Sequence, residues 1–191
     1  MRNRYALAFA ALALLAVGTA PAGGAPRPAP TPTLHPTVAR LAALHGPSFD
    51  VGFMRELIPV HEEAVEIAMA ATLNADHTEL LRWNQVMIDR KTGEVKRMLA
   101  MLKEAGAAEG RRGAGVATDA VKRMRQLRGA ALEKAYLPLI AAHLEHSASL
   151  AALAATRAAR AEVRKLAADI VRVERAEVAT LRAWHKKWYG N

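Results

Sequence analysis

Adding 83 to each position of one stretch of this chain generates a second stretch without a gap. Leu44, Gly46, Phe49, Asp50 and Phe53 become Leu127, Gly129, Leu132, Glu133 and Tyr136, and Glu62 becomes Glu145. Further on, Glu79, Met87, Glu94, Val95 and Met98 become Glu162, Ile170, Glu177, Val178 and Leu181. Identities are few, but residue class and helical phase agree throughout. That register predicts two copies of one supersecondary unit, packed so that corresponding residues face each other across a shared core.

The unit reads as a helical hairpin. Met54, Leu57, Ile58, Val65, Ala68 and Thr72 recur at helical spacing with His61 in their series, which predicts a helix from Asp50 to Leu73. Pro59 inside it is expected to kink it. Asn74-Ala75-Asp76 is the turn, with Asp76 and Glu79 as N-cap and capping-box partner. A second helix runs from His77 to Lys103 with Leu80, Trp83, Met87, Lys91, Glu94, Met98 and Met101 on its stripe.

The later copy opens with a short piece, Asp119 to Leu127, and is interrupted at Gly129. Its first long helix reaches Arg157, with a stripe of Tyr136, Ile140, His143, Ser147, Leu150 and Ala154, and Pro138 should perturb its first turns. The last helix, Ala161 to Trp188, aligns Val163, Leu166, Ile170, Glu174, Glu177, Leu181, Trp184 and Trp188. No segment sustains period-two alternation, so no sheet is expected. The predicted fold class is all-α, a four-helix bundle of two repeated hairpins (residues 44–104 and 127–187) within a domain spanning 44–191. The Gly-rich run from Ala105 to Ala117 is expected to be a mobile crossover.

The N-terminal residues speak to location. Residues 1–25 have the layout of a secretory signal: Arg2 and Arg4, an apolar run from Tyr5 to Val17, then small-residue cleavage candidates at Gly18-Thr19-Ala20 and Gly23-Gly24-Ala25. The apolar run is short for a membrane span, so membrane contact is expected only through an uncleaved signal. Residues 26–43 read as a Pro-rich linker with a short helix. The expected location is periplasmic or secreted.

With no cysteine in the chain, disulfides and thiolate metal sites are excluded. The formal charge of +9 raises nucleic acid as a partner. In an Ala/Arg-rich helical chain, however, arginine mostly solvates outer faces, and no nucleic-acid partner is expected. Arg111 to Arg128 could form a basic patch for an anionic lipid or polymer.

Ligand-capable residues on apolar stripes are the main chemical signal. His61, Glu94, His143 and Glu177 each occupy one, and His143-x-x-His146 could face Glu174-x-x-Glu177. Imidazoles with carboxylates suit Zn(II) or Cu(II), whereas Cu(I) would want the thioethers of Met54, Met87, Met98 and Met101. The plainer alternatives are a hydrogen-bonded core histidine, glutamates paired with Lys91 or an arginine, and methionines as core filler. Counting back from the turn puts Asp89 level with His61 and Glu94 about 7 Å further along. Not all four groups can then share one ion. No Glu-x-x-His pair, nucleophile elbow, phosphate-cradling loop or H-E-x-x-H occurs, so the chain is expected not to be an enzyme.

The stretch Phe49-Asp50-x-x-Phe53-Met54-x-x-Leu57-Ile58-Pro59-Val60-His61-Glu62-x-Ala64-Val65-x-Ile67-Ala68 resembles the hallmark of the bacterial family catalogued as domain of unknown function 305. Glu79-Leu80 to Met98, and Glu162-Val163 to Val178 with Trp184, resemble the family's second motif. The resemblance implies a ferritin-like four-helix bundle, usually exported, with periplasmic copper binding or copper tolerance in some members. This chain departs from the pattern. The His-His pair becomes Val60-His61 and His143-Leu144, the motif methionines become Ile67 and Leu150, and the glutamine becomes Lys91 and Glu174. The expectation is an exported bundle that binds a transition metal as buffer or carrier, copper first and zinc second, with His61, His143, His146, Glu94, Glu174 and Glu177 as candidate ligands. The alternative is a metal-free structural or interaction module of the cell envelope.

Overall fold

Residues 36–190 are described by the structure, a computed structural model; the expected signal segment and most of the Pro-rich stretch lie outside them. Every regular element among them is helical: α1 (Pro36–Ala42), α2 (Gly46–Thr72), α3 (Thr78–Glu104), α4 (Asp119–Gln126), α5 (Gly129–Arg157) and α6 (Ala161–Tyr189). Helices α2 and α5 each start at a glycine in the left-handed region, Gly46 at φ +56° and Gly129 at φ +50°. These are the same repeat position, and a side chain there would be strained. Pro59 and Pro138 both lie inside their helices, and neither ends its helix.

The repeat is visible as interlocked caps. Asp50, on the first turns of α2, accepts from the backbone N–H groups of Ala159 and Arg160 ahead of α6, both at 2.8 Å. Glu133, its counterpart on α5, accepts from Asp76 and His77 ahead of α3, both at 2.8 Å. Each hairpin thus satisfies the orphan donors of the other. This replaces the local capping box expected at Asp76 and Glu79: the N-cap of α3 is His77, which makes no side-chain cap bond. A buried tertiary carboxylate has taken the donors a local side chain would have held.

The four long helices run antiparallel to their neighbours in the ring order α2, α3, α6, α5. Their apolar core is in two halves. One gathers Phe49 to Ile58, Val95 to Leu102, Leu150 to Ala158 and Val163 to Ile170. The other gathers Ala64 to Ala71, Leu80, Met87, Leu132 to Leu144, Val178 and Leu181, closed by Val121 and Met124 of α4. Met54, Met87, Met98 and Met101 are all buried within these halves. The gap between the halves falls at residue 61 on α2, 91–94 on α3, 147 on α5 and 174 on α6, and it is filled by polar side chains.

The crossover is tied down rather than loose. Glu62, 6% exposed, accepts from Arg112 Nε at 2.7 Å and from the N–H groups of Gly113 and Ala114 at 2.6 and 3.1 Å. Glu66 accepts from Gly115 N–H at 2.7 Å, and Arg55 donates to the Ala108 carbonyl at 2.8 Å. Glycine-rich composition signals a break in the helix but not what the freed backbone donors find. Gly113 is buried, and a Cβ there would meet the Pro59 carbonyl oxygen at 2.6 Å. Gly113→Ala is therefore expected to lift the crossover off α2 and to lower stability by about 1–3 kcal/mol. Trypsin cleavage at Arg111 and Arg112 in the native state should quicken at least several-fold; an unchanged cleavage rate would show that this backbone approach does not hold the loop.

Candidate metal centre

The polar layer is built from one turn of each long helix. His61 Nε2 of α2 lies 2.9 Å from Glu94 Oε2 of α3. Lys91, one turn before Glu94, donates from Nζ to Glu174 Oε1 of α6 at 2.6 Å and lies 3.4 Å from His61 Nδ1. Ser147 of α5 donates to the same Glu174 oxygen at 3.0 Å. His61, Lys91, Ser147 and Glu174 are each 0% exposed. At the α3–α6 edge, Arg90 clamps both Glu94 oxygens at 3.0 and 3.2 Å and Glu177 Oε2 at 2.5 Å.

The contacts obey the repeat. Lys91 and Glu174 are equivalent positions, and they meet as opposite charges. Val60 and His143 are also equivalent, and the Val60 carbonyl lies 2.8 Å from His143 Nε2. One symmetric pairing is thus an ion pair and the other a hydrogen bond to backbone.

The six sequence candidates divide evenly. His61, Glu94 and Glu174 come together, each offering a ligand atom within 4.8 Å of the others. Glu177 lies beside them but is held by Arg90, His143 faces the Val60 carbonyl, and His146 sits half-buried on α5 outside the group. Helical rise alone sets Glu94 too far along α3 to meet His61, yet the two side chains meet at 2.9 Å, and Lys91 also reaches the His61 ring. The plainer expectation, glutamates paired with Lys91 or an arginine, matches Glu94 and Glu177: the arginine is Arg90, at i,i+4 spacing to Glu94. The sequence marks Ser147 only as a stripe position; its hydroxyl joins the layer through Glu174.

Burial, with help from the Lys91 charge, lowers the His61 pKa below its usual 6.5 and keeps the ring neutral at pH 7. Burial would raise the Glu94 carboxyl, but the His61 contact and the charges of Arg90 and Lys91 outweigh it and hold the pKa at about 2. Glu177 goes the other way, raised by burial in spite of Arg90. Glu94 therefore contributes stability that is fully present above about pH 4.5 and is lost as pH falls toward about 2. His61 acts in the same direction, because below about pH 6.5 the unfolded chain takes up a proton that the folded core resists. Glu177 opposes them above its ordinary value of 4.5. Glu62, Glu133 and His143 are shifted in the same sense as Glu94 and His61, so the urea midpoint is expected to fall from pH 6.5 to pH 3. Glu94 alone supplies about 3 kcal/mol of the full acid loss. A midpoint equal at pH 7 and pH 3 would contradict this account of the layer.

The donor set can be tested against a metal ion. Glu174 Oε2 is buried without a hydrogen-bond partner, while His61 Nε2 faces Glu94 Oε2 at 2.9 Å. A buried acceptor left unpartnered is costly unless something uses it. Ligand atoms sharing one ion at about 2.1 Å lie about 3.4 Å apart in tetrahedral geometry, so the group needs a modest contraction to chelate. One imidazole and two carboxylates fit a divalent ion such as Cu(II) or Zn(II). Cu(I), which prefers sulfur donors, suits these nitrogen and oxygen ligands less well.

Fold and layer together define a class: a duplicated antiparallel helical hairpin with ionisable side chains buried between two apolar half-cores. The chain belongs to the family described as domain of unknown function (DUF305), whose sequence model matches it twice, over residues 18–102 and 103–185. Among solved structures it is similar to CopM in its Cu(I)-bound form, at 23% identity and a TM-score of 0.66 over 74% of this chain and 98% of that one. The Cu(II)-bound form of CopM gives 24% identity and a TM-score of 0.62 over 73% and 98%. A DUF305 protein from Streptomyces coelicolor, assigned as secreted, gives 23% and 0.63 over 69% and 87%. At these identities the likeness is one of fold. No curated protein matches the chain significantly. No helix among the described residues is long and apolar enough to cross a membrane.

Proposed function

We propose that this protein is an exported metal-binding bundle that takes up a divalent transition ion, copper first and zinc second, at His61, Glu94 and Glu174, and serves as a buffer or carrier. The observation that carries the reading is the buried group of one imidazole and two carboxylates with one Glu174 oxygen left unpartnered. The ion would supply the positive charge and directional bond that this oxygen lacks. CopM, which shares the fold, has been solved with Cu(I), Cu(II) and silver, which supports a metal as the cargo. The Streptomyces coelicolor protein, assigned as secreted, supports export, in line with the signal-like N-terminus. No set of groups in the layer places a nucleophile beside a base at an open cleft, so the reading is of a binding protein and not of an enzyme.

Isothermal titration of the untagged protein with Cu(II), Zn(II) and Cu(I) tests it. One divalent ion should bind with micromolar or tighter affinity, and His61→Ala should abolish that site. Absence of a His61-dependent site would overturn the reading. A second reading has a specific observation in its favour: Lys91 and Arg90 already neutralise most of the layer's negative charge. On that reading the layer is a structural element of a metal-free envelope module.

A further inference from the structure

We infer that the Lys91 ammonium is a built-in counter-cation that competes with the metal, so that ion entry requires Lys91 to leave Glu174. The inference rests on the metal site proposed above, and it concerns what controls that site. The ammonium lies 2.6 Å from one oxygen of Glu174 and 3.4 Å from the His61 ring, and so holds two of the three candidate ligand residues. No apolar reason places a lysine there. It is 0% exposed in the middle of the core, where an unpaired charge would be costly. Its repeat counterpart is the acid it pairs with, so the two hairpins meet at this point through one cation and one anion.

Charge counting makes the competition explicit. Arg90 and Lys91 oppose Glu94, Glu174 and Glu177, and the His61 ring, whose Nδ1 faces the donor-only Lys91 ammonium, counts as neutral, which leaves one net negative charge on the layer. A divalent ion added with Lys91 in place would turn that into one net positive charge in a buried setting. With Lys91 withdrawn, the same ion leaves the layer neutral. Binding is therefore coupled to displacement of the lysine. The layer is not sealed. The side chains of Arg90, Glu94 and Glu177 are 19%, 10% and 12% exposed at the α3–α6 edge, which gives an ion a route in.

Lys91→Gln removes the charge and keeps a donor for Glu174, whereas Lys91→Arg keeps the charge. Zn(II) and Cu(II) affinities of both variants are to be compared with the parent, and each protein is titrated again with His61→Ala added as a site control. At least a tenfold tighter, His61-dependent site in Lys91→Gln, with no gain in Lys91→Arg, is the expected result. If the parent binds nothing and Lys91→Gln does, the metal reading of the native chain fails while the competition stands, Lys91 having taken the metal's place. Equal or weaker affinity in Lys91→Gln, or no binding in either protein, overturns the competition. Should Lys91→Gln fail to fold alone, Zn(II) is expected to restore its helical circular dichroism in a His61-dependent way, and failure to do so counts against the inference.

Discussion

Replacing Glu174 with leucine will destabilise the protein by about 3–5 kcal/mol, and adding Lys91→Met to that variant will recover most of the loss. The single change leaves the Lys91 ammonium in a site with 0% exposure and no carboxylate, and it also removes the acceptor of Ser147. Breaking a buried pair from one side is expensive because the survivor keeps its desolvation penalty and loses its attraction. The double change removes both charges and fills the layer with side chains of similar volume, which joins the two half-cores into one. Such replacements are commonly neutral or stabilising. The single variant should melt about 10 °C lower, given about 2–4 °C per kcal/mol at this size, and the double variant within a few degrees of the parent. Urea denaturation of the four proteins of the cycle measures the coupling directly. A single variant losing less than about 1 kcal/mol would mean that water reaches Lys91, which contradicts its burial.

If the cycle behaves this way, the ion pair is not retained for stability. That bears on function. A layer that an apolar pair could replace at no loss is polar in this chain, and the unpartnered oxygen of Glu174 beside the His61 ring is what an apolar layer would lack.

The architecture was legible in the sequence because it rests on periodicity. The stripes from Met54 to Thr72 and from Val163 to Leu181 specify which faces are buried, and the 83-residue register specifies which hairpin meets which. The break at Gly129 and the separate short helix before it were also readable, since a glycine in the left-handed region leaves a compositional trace. Side-chain reach was not legible. Rise per residue gives the height of a Cα, yet Glu94 spans the distance to His61 with its own chain. Lys91 was visible as an anomaly, a lysine on an apolar stripe, but its partner could be found only by knowing which face of α6 it meets. The caps were illegible for a different reason. Local rules looked for an Asp beside its own helix, whereas the donors ahead of α3 are held by Glu133, 56 positions away in sequence.

That exchange of caps supports the other large prediction. Glu133→Ala is expected to cost about 3 kcal/mol, lowering the melting temperature by about 6–12 °C. The carboxylate is 0% exposed and accepts from Asp76 N–H and His77 N–H at 2.8 Å; it also contacts His77 Nδ1 at 2.5 Å and takes the Tyr189 hydroxyl. Removing it orphans two backbone donors at the start of α3 and frees the His77 ring. That ring stacks on Trp188 with centroids 3.9 Å apart, and Trp188 stacks in turn on Trp184 at 5.1 Å. The near-ultraviolet circular dichroism of the tryptophans should therefore change along with stability. Asp50→Ala removes the equivalent carboxylate at the other end of the bundle, where the donors are Ala159 and Arg160 and no aromatic column stands above them. It should lower stability by about 2 kcal/mol and leave the tryptophan signal as it was. Loss of the aromatic signal in both variants would indicate global loosening. Loss in neither would mean that Glu133 does not position His77. A change in Glu133→Ala alone would show that the two acids do the same structural work at opposite ends of the bundle, and that only one of them also orders the aromatic stack.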